Sequence, residues 1–183
     1  GDVPVPRALQ TSEIADIISD YRRAARNALN AGMDGVEIHA GNGYLLDQFI
    51  NSNSNQRTDG YGGPLENRAR LLLEVVAAVV DEVGADRVGV RLTPMGRFMG
   101  MGDESPEATF GYIVRSLNRW KLAYLHLVEP AVVGTVKDEN FDPRWDAIIA
   151  QLRDAWGGVL MIAGGYDPES AGEALADGRA DII

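Results

Sequence analysis

Cysteine is absent from all 183 residues, so the chain carries neither disulfides nor thiolate–metal sites, and a reducing cytoplasm suits it. No apolar run reaches the roughly 20 residues of a membrane-spanning helix, and no secretory leader is visible at the N-terminus. Positive charge is in short supply: 17 Lys and Arg against 27 Asp and Glu leave a formal net charge of −10. Such a surface repels phosphate backbones and anionic lipids, so neither nucleic acid nor membrane is an expected partner. Low-complexity tracts and linkers are missing too. With 45% apolar residues, one core is expected, formed by a single domain over residues 1–183.

What is present is an alternation of helical and strand patterns. Thr11 or Ser12 followed by Glu13 reads as a helix start, with Ile14, Ile17, Ile18, Tyr21, Ala25, Ala28 and Leu29 at helical spacing and Gly32 closing it. Residues 36–38 read as a short buried strand. Residues 41 to about 64, rich in Asn, Ser, Gly and Asp, read as a long surface loop. A helix follows with Leu71, Leu72, Val75, Val76, Val79, Val80 and Val83 on its buried face and Gly84 at its end. Residues 88–92 are the next strand and 93–103 another Gly-rich loop. Ser105-Pro-Glu107 supplies an N-cap, a first-turn proline and a first-turn acid, ahead of Phe110, Ile113, Val114 and Leu117. Further strands are expected at 123–128 and 159–163, with a helix at 145–156 between them. Gly164-Gly165 then turns into a short helix from Pro168 to Ala176, and Ala180-Asp-Ile-Ile183 begins a fifth strand.

Helix followed by alternating strands and helices implies a parallel sheet with the helices outside. A complete (β/α)8 barrel needs roughly 250 residues. The expectation is therefore a partial TIM barrel, roughly strands 4 to 8 with their helices.

The chemistry concentrates in Gly35-Val-Glu-Ile-His-Ala-Gly-Asn-Gly-Tyr44, where an apolar strand runs into an imidazole, a carboxamide and a phenol. Alternation along the strand puts Val36 and Ile38 on the helix side and Glu37 and His39 inside, with His39 at the C-terminal rim. By the same parity Gly89, Arg91 and Thr93 face inward. An arginine there needs a carboxylate or an anionic ligand, and a Glu37–Arg91 ion pair is the alternative that involves no ligand. His39 and Asn42 can donate to a carbonyl oxygen, and Tyr44 can deliver a proton. Gly164-Gly165 offers backbone N–H groups for a phosphate, although any tight turn needs glycine. His126, in mid-strand, reads as a satisfied structural histidine. Glu129 at that strand's end can reach the site, and Gly100-Met-Gly102 carries no assigned chemistry.

Several linked motifs resemble one family: Gly35-Val-Glu-Ile-His39, Gly43-Tyr-Leu-Leu-Asp-Gln-Phe49, Asn55-Gln-Arg-Thr-Asp-Gly-Tyr-Gly-Gly63, Glu66-Asn-Arg68, Arg87-Val-Gly-Val-Arg-Leu92, Tyr124-Leu-His-Leu-Val-Glu-Pro130 and Ile162-Ala-Gly-Gly-Tyr166. In this order they resemble the old yellow enzymes, FMN-dependent ene-reductases of the NADH:flavin oxidoreductase family. The resemblance implies a TIM barrel with FMN across its C-terminal mouth and NAD(P)H as reductant. It also implies that His39 and Asn42 hold a substrate's carbonyl or nitro oxygen and that Tyr44 protonates the α-carbon. Arg91 would sit near the flavin's pyrimidine edge, and Gly164 and Gly165 would hold FMN phosphate. Where the family usually has Gly-Ala between the histidine and the asparagine, this chain has Ala40-Gly41, with the spacing kept. The expected partners are small activated alkenes (enones, nitro-alkenes, maleimides), and a homo-oligomer is possible.

Two other functions stay open at this point: a dienoyl-CoA reductase of the same family, and a different phosphate-binding barrel, a lyase or isomerase using Glu37 or His39 as base. A third possibility is an inert truncated barrel. Residues 1–183 made alone are expected to bind FMN poorly and to aggregate or self-pair through open strand edges.

Overall fold

The computed structural model describes residues 6–129, 132–133, 136–137, 142 and 144–183; Pro130, the last residue of one family motif, lies outside them. The first helix, α1, spans Ile14–Asn30 and is entered through a 3₁₀ turn at Thr11–Glu13. Its cap is Gln10, one residue earlier than the sequence suggests, because Glu13 reaches back to the Gln10 N–H while two short bonds from Arg7 hold its carboxylate. At the other end Met33 N–H reaches Ala28 O and Gly32 takes φ +91°, the left-handed closure that glycine permits.

Strand β1 is Val36–Ala40 and β2 is Val88–Leu92. Between them lie α2 (Leu45–Ile50), α3 (Leu65–Arg68) and α4 (Arg70–Val83). Helix α2 corrects the expectation of a surface loop, since Leu46, Asp47, Phe49 and Ile50 are all buried. Six residues are too few to display a helical period amid the surrounding Asn, Ser and Gly. Downstream come α5 (Pro106–Leu117) and β3 (Tyr124–Val128). The short strands β4 (Val132–Val133) and β5 (Val136–Lys137) pair antiparallel, which no sequence pattern announces. Helix α6 (Trp145–Ala155), β6 (Leu160–Ala163) and α7 (Pro168–Ala176) follow. Ser105 occupies the N-cap position of α5 but contributes no side-chain bond there; Asp103 instead accepts from Ser105 N–H and from the Thr109 hydroxyl.

The four longer strands form one parallel sheet in the order β1-β2-β3-β6. Parallel pairing aligns residues in rows across the strands. Ile38, Val90, Leu125 and Leu160 form one row, and Ala40, Leu92, Leu127 and Ile162 another, all buried. These are the outward rows, packed with the apolar stripes of α4 (Leu71, Leu72, Val75, Val76, Val79), α5 (Phe110, Ile113, Val114, Leu117) and α6 (Trp145, Ile148, Ile149, Leu152) in one core. The alternate row is His39, Arg91, His126 and Met161, as the parity of the strands requires. The fifth strand expected from Ala180 is present as a single parallel bridge, Met161 with Ile182, supported by Ile162 N–H to Ile182 O at 3.0 Å.

Candidate active site at the strand ends

His39 ends the inward row on β1, half-buried, with its register partner Arg91 one strand away. Burial and the Arg91 charge, opposed by Glu37, hold its pKa below the usual imidazole value, so it is neutral at pH 7. Neutral imidazole keeps one ring donor without demanding a counter-ion. The chain then turns sharply: Tyr44 N–H bonds Gly41 O at 3.2 Å, with Asn42 at φ +54° and Gly43 at φ +75° between them. Two successive positive φ values mark a type I′ turn, for which Asn-Gly is the favoured pair. The turn brings the Tyr44 ring to 5.3 Å from the His39 ring, tilted by 56°. Tyr44 is 51% exposed, so its hydroxyl can exchange protons with water.

Further inside, the Glu37–Arg91 ion pair, the ligand-free alternative, is not among the contacts of the described residues. Glu37 instead accepts from His126 Nδ1 at 2.8 Å, across a sequence separation of 89. Burial pushes the Glu37 pKa up, but the hydrogen bond and charge of His126, helped by Tyr124 and Arg91, outweigh it and keep the carboxylate ionised. An ionised carboxylate only accepts, so His126 Nδ1 is the donor in this bond. The Tyr124 ring reaches Glu37 by lying across Gly89, where a Cβ would come within 2.3 Å of it; burial and then Glu37 push the phenol up to about 12. His126 is thus only half satisfied, which revises the structural reading of it. His126 Nε2 and Arg91 Nε are both buried with no hydrogen-bond partner.

Unpaired buried polar atoms are uncommon and call for a partner. An arginine N–H with nothing to donate to, facing the inner row beside a neutral histidine, suits a flat ligand edge rich in acceptors. The pyrimidine edge of FMN has that character, so these residues fit the cofactor. Gly164 and Gly165 lie at the end of β6, three strands from β1 in the sheet order, or about 14 Å at the usual strand spacing. Glycine at 164 is required by packing, since a Cβ there would fall 2.5 Å from Glu129 Cβ. Gly165 takes φ +76°. The first turn of α7 is already capped by Asp167, which accepts from Ser170 N–H at 2.9 Å; an anion would therefore meet the glycine backbone rather than the helix end. Glu129, singled out by nothing in the sequence, is buried and bonded to Tyr166 Oη (2.5 Å) and Arg179 (2.9 Å).

Among the described residues no cluster of His, Cys, Asp or Glu has the arrangement of a metal site, and no helix is long and apolar enough to cross a membrane. The sequence profile described as the NADH:flavin oxidoreductase / NADH oxidase family matches residues 2–183. The chain belongs to this family. It is 46% identical to 12-oxophytodienoate reductase 2 of Arabidopsis thaliana, covering 97% of this chain and 46% of that protein. A structure of morphinone reductase in complex with tetrahydroNAD shares 44% identity with a TM-score of 0.87, covering 97% of this chain and 46% of that one. An old yellow enzyme homologue from Zymomonas mobilis shares 40% identity with a TM-score of 0.91, covering 98% and 50%. The chain spans about half the length of the curated relatives it matches. Its four-stranded sheet with outer helices is accordingly part of the TIM barrel of the old yellow enzymes.

Two residues that bond the site's turn were given no role by the sequence reading, although it placed Thr93 facing inward. Asp47 is buried in α2 and Thr93 follows β2, and each accepts a hydrogen bond from the backbone of the His39–Tyr44 segment. A signal for Asp47 existed: it stands three residues after the helix-entry position Tyr44, where an acid can reach back to a free N–H.

Proposed function

We infer that the protein is an FMN-dependent NAD(P)H oxidoreductase that reduces activated C=C bonds in small molecules such as enones, nitro-alkenes and maleimides, in the cytoplasm. The observation that carries this inference is a neutral imidazole whose ring lies 5.3 Å from that of a water-accessible phenol, with Asn42 on the left-handed turn between them and a half-buried arginine on the next strand whose buried Nε lacks an acceptor. When bound, FMN would supply the hydride chemistry that links NAD(P)H as reductant to the β-carbon of the alkene. The protein's own part is orientation and proton supply. His39 and Asn42 donate to the substrate's carbonyl or nitro oxygen, and these bonds strengthen as negative charge gathers there. The Tyr44 Oη–H bond breaks as its proton moves to the α-carbon, and the phenol regains a proton from water. Arg91 Nε, with the Gly164–Gly165 backbone, would hold the cofactor. The family membership and the nicotinamide analogue in the morphinone reductase structure support the same reading.

The test is the Tyr44→Phe variant of the FMN-loaded full protein, with the two half-reactions followed separately. Alkene reduction is expected to slow by about 10²-fold or more, the usual worth of a positioned acid, with flavin reduction by NAD(P)H little changed. Equal slowing of both halves removes the proton-donor role, and a wild-type protein that lacks flavin absorbance removes the whole assignment.

A further inference from the structure

Asn42 and Tyr44, two of the side chains that would meet substrate, sit on and just after a type I′ turn that the Asn-Gly pair favours but does not by itself lock in place. Asn42 at φ +54° is an L-residue in the left-handed region, and Gly43 at φ +75° follows directly. A left-handed turn at a functional site keeps one fixed geometry where neighbours over-determine it. Here the neighbours are two buried side chains from different elements. Asp47, 1% exposed, accepts from Gly43 N–H at 2.8 Å, from Asn51 Nδ2 at 2.7 Å and from Thr93 Oγ1 at 3.3 Å. Thr93, 5% exposed, accepts from Asn42 N–H at 3.0 Å. Both turn N–H groups are therefore claimed, one by each side chain, and the two side chains are bonded to each other. The Thr93 methyl also lies against Gly41, where a Cβ would come within 2.7 Å of it. Gln48 Nε2 closes the far side by donating to Gly43 O at 2.7 Å.

We propose that Asp47 and Thr93 are a positioning pair: by fixing the Asn42–Gly43 turn they set the Asn42 carboxamide and the Tyr44 phenol at the angle that the reacting oxygen and α-carbon require. Neither residue touches substrate. The proposal rests on the ene-reductase reading for its consequence and on the hydrogen bonds alone for its mechanism. A misplacement of about 1 Å in a reacting group is worth up to about 10²-fold in rate.

The experiment compares Thr93→Val, which keeps the shape and removes the oxygen, with Thr93→Ser, which keeps the oxygen, in the FMN-loaded full protein. Thr93→Val is expected to lower kcat for alkene reduction about tenfold or more with KM within about threefold, and Thr93→Ser to stay within about threefold of wild type. Exchange of the Asn42 amide proton in Thr93→Val is expected to quicken about tenfold, while amides of the β2–β3 ladder keep their rates. Thr93→Val turnover within about twofold of wild type overturns the proposal, as does a Thr93→Ser variant as impaired as the valine one, or unchanged Asn42 exchange. If wild type reduces no activated alkene, the ene-reductase reading fails and the exchange rates alone decide for or against the pair.

Discussion

The two ends of the sheet solve one problem differently. At the end of β1, Gly41 is glycine because Thr93 stands against it; at the end of β6, Gly164 is glycine because Glu129 does. At β1 the neighbour also bonds the turn that carries the candidate chemistry, so the small residue belongs to a network that positions donors. At β6 the neighbour bonds Tyr166 and Arg179, and the glycine leaves the backbone accessible without aiming any side chain. A glycine at a strand end therefore says little until the side chain across from it is known.

The largest effect expected from probing this contrast concerns Asp47. Burial pushes its pKa up from 3.8 to about 6, against the opposing bonds from Gly43, Asn51 and Thr93. A pKa raised in the folded state means stability that is fully present below the unfolded value and lost as pH rises through about 6. A shift of that size corresponds to roughly 3 kcal/mol. Asp47→Asn removes the ionisation, so the stability of wild type relative to Asp47→Asn should fall by up to that amount between about pH 4 and pH 7. Urea unfolding at a series of pH values measures it, and parallel curves for the two proteins would show that Asp47 titrates normally.

Next come the glycines. Gly41→Ala and Gly164→Ala should each lower unfolding free energy by about 1–3 kcal/mol through overpacking. Only the first should depress alkene turnover at saturating FMN; the second should act through cofactor affinity. An alanine at 164 that impairs turnover with FMN saturating would erase the distinction between the two ends. Glu37→Gln is smaller still. It removes the charge beside His126 while keeping an acceptor, and about 1 kcal/mol of stability should go with it, read from the shift in the denaturant midpoint. The His39 effect has the opposite sign to that of Asp47. Its pKa is held low, so its contribution is present above the ordinary imidazole value and disappears as pH falls through the folded one. A His39→Gln variant should accordingly lose less stability than wild type on acidification through that window.

Much of this arrangement was legible in the chain, and the exceptions share a cause. Val36 and Ile38 on one face were enough to place Glu37 and His39 on the other, and Val88, Val90 and Leu92 did the same for Arg91. Period-2 alternation is a local property that no later folding step reverses. The partner of Glu37 was not available that way. Choosing between Arg91 and His126 depends on which strands pair and in what register, and that information is spread over 89 positions. Helix α2 escaped because its apolar residues are too few to show a period. The candidate triad of His39, Asn42 and Tyr44 was readable as a motif, and the Asp47 bond to Gly43 is local, whereas the hold of Thr93 on Asn42 and on Asp47 exists only after β2 has docked beside β1. Local chemistry is written in the sequence; the bonds that steady it are written in the packing.

The in-register rows of the parallel sheet also limit how such a protein can vary. Insertion of a single residue ahead of Glu37 would rotate every following side chain of β1 by half a turn, sending the imidazole into the helices and an apolar neighbour into the mouth. Insertion of two would restore the facing but shift His39 two positions beyond Arg91, level with Thr93. Loops after the strands tolerate gain and loss of residues far more readily, so in this architecture strand length behaves as a fixed gauge while the connecting segments absorb divergence.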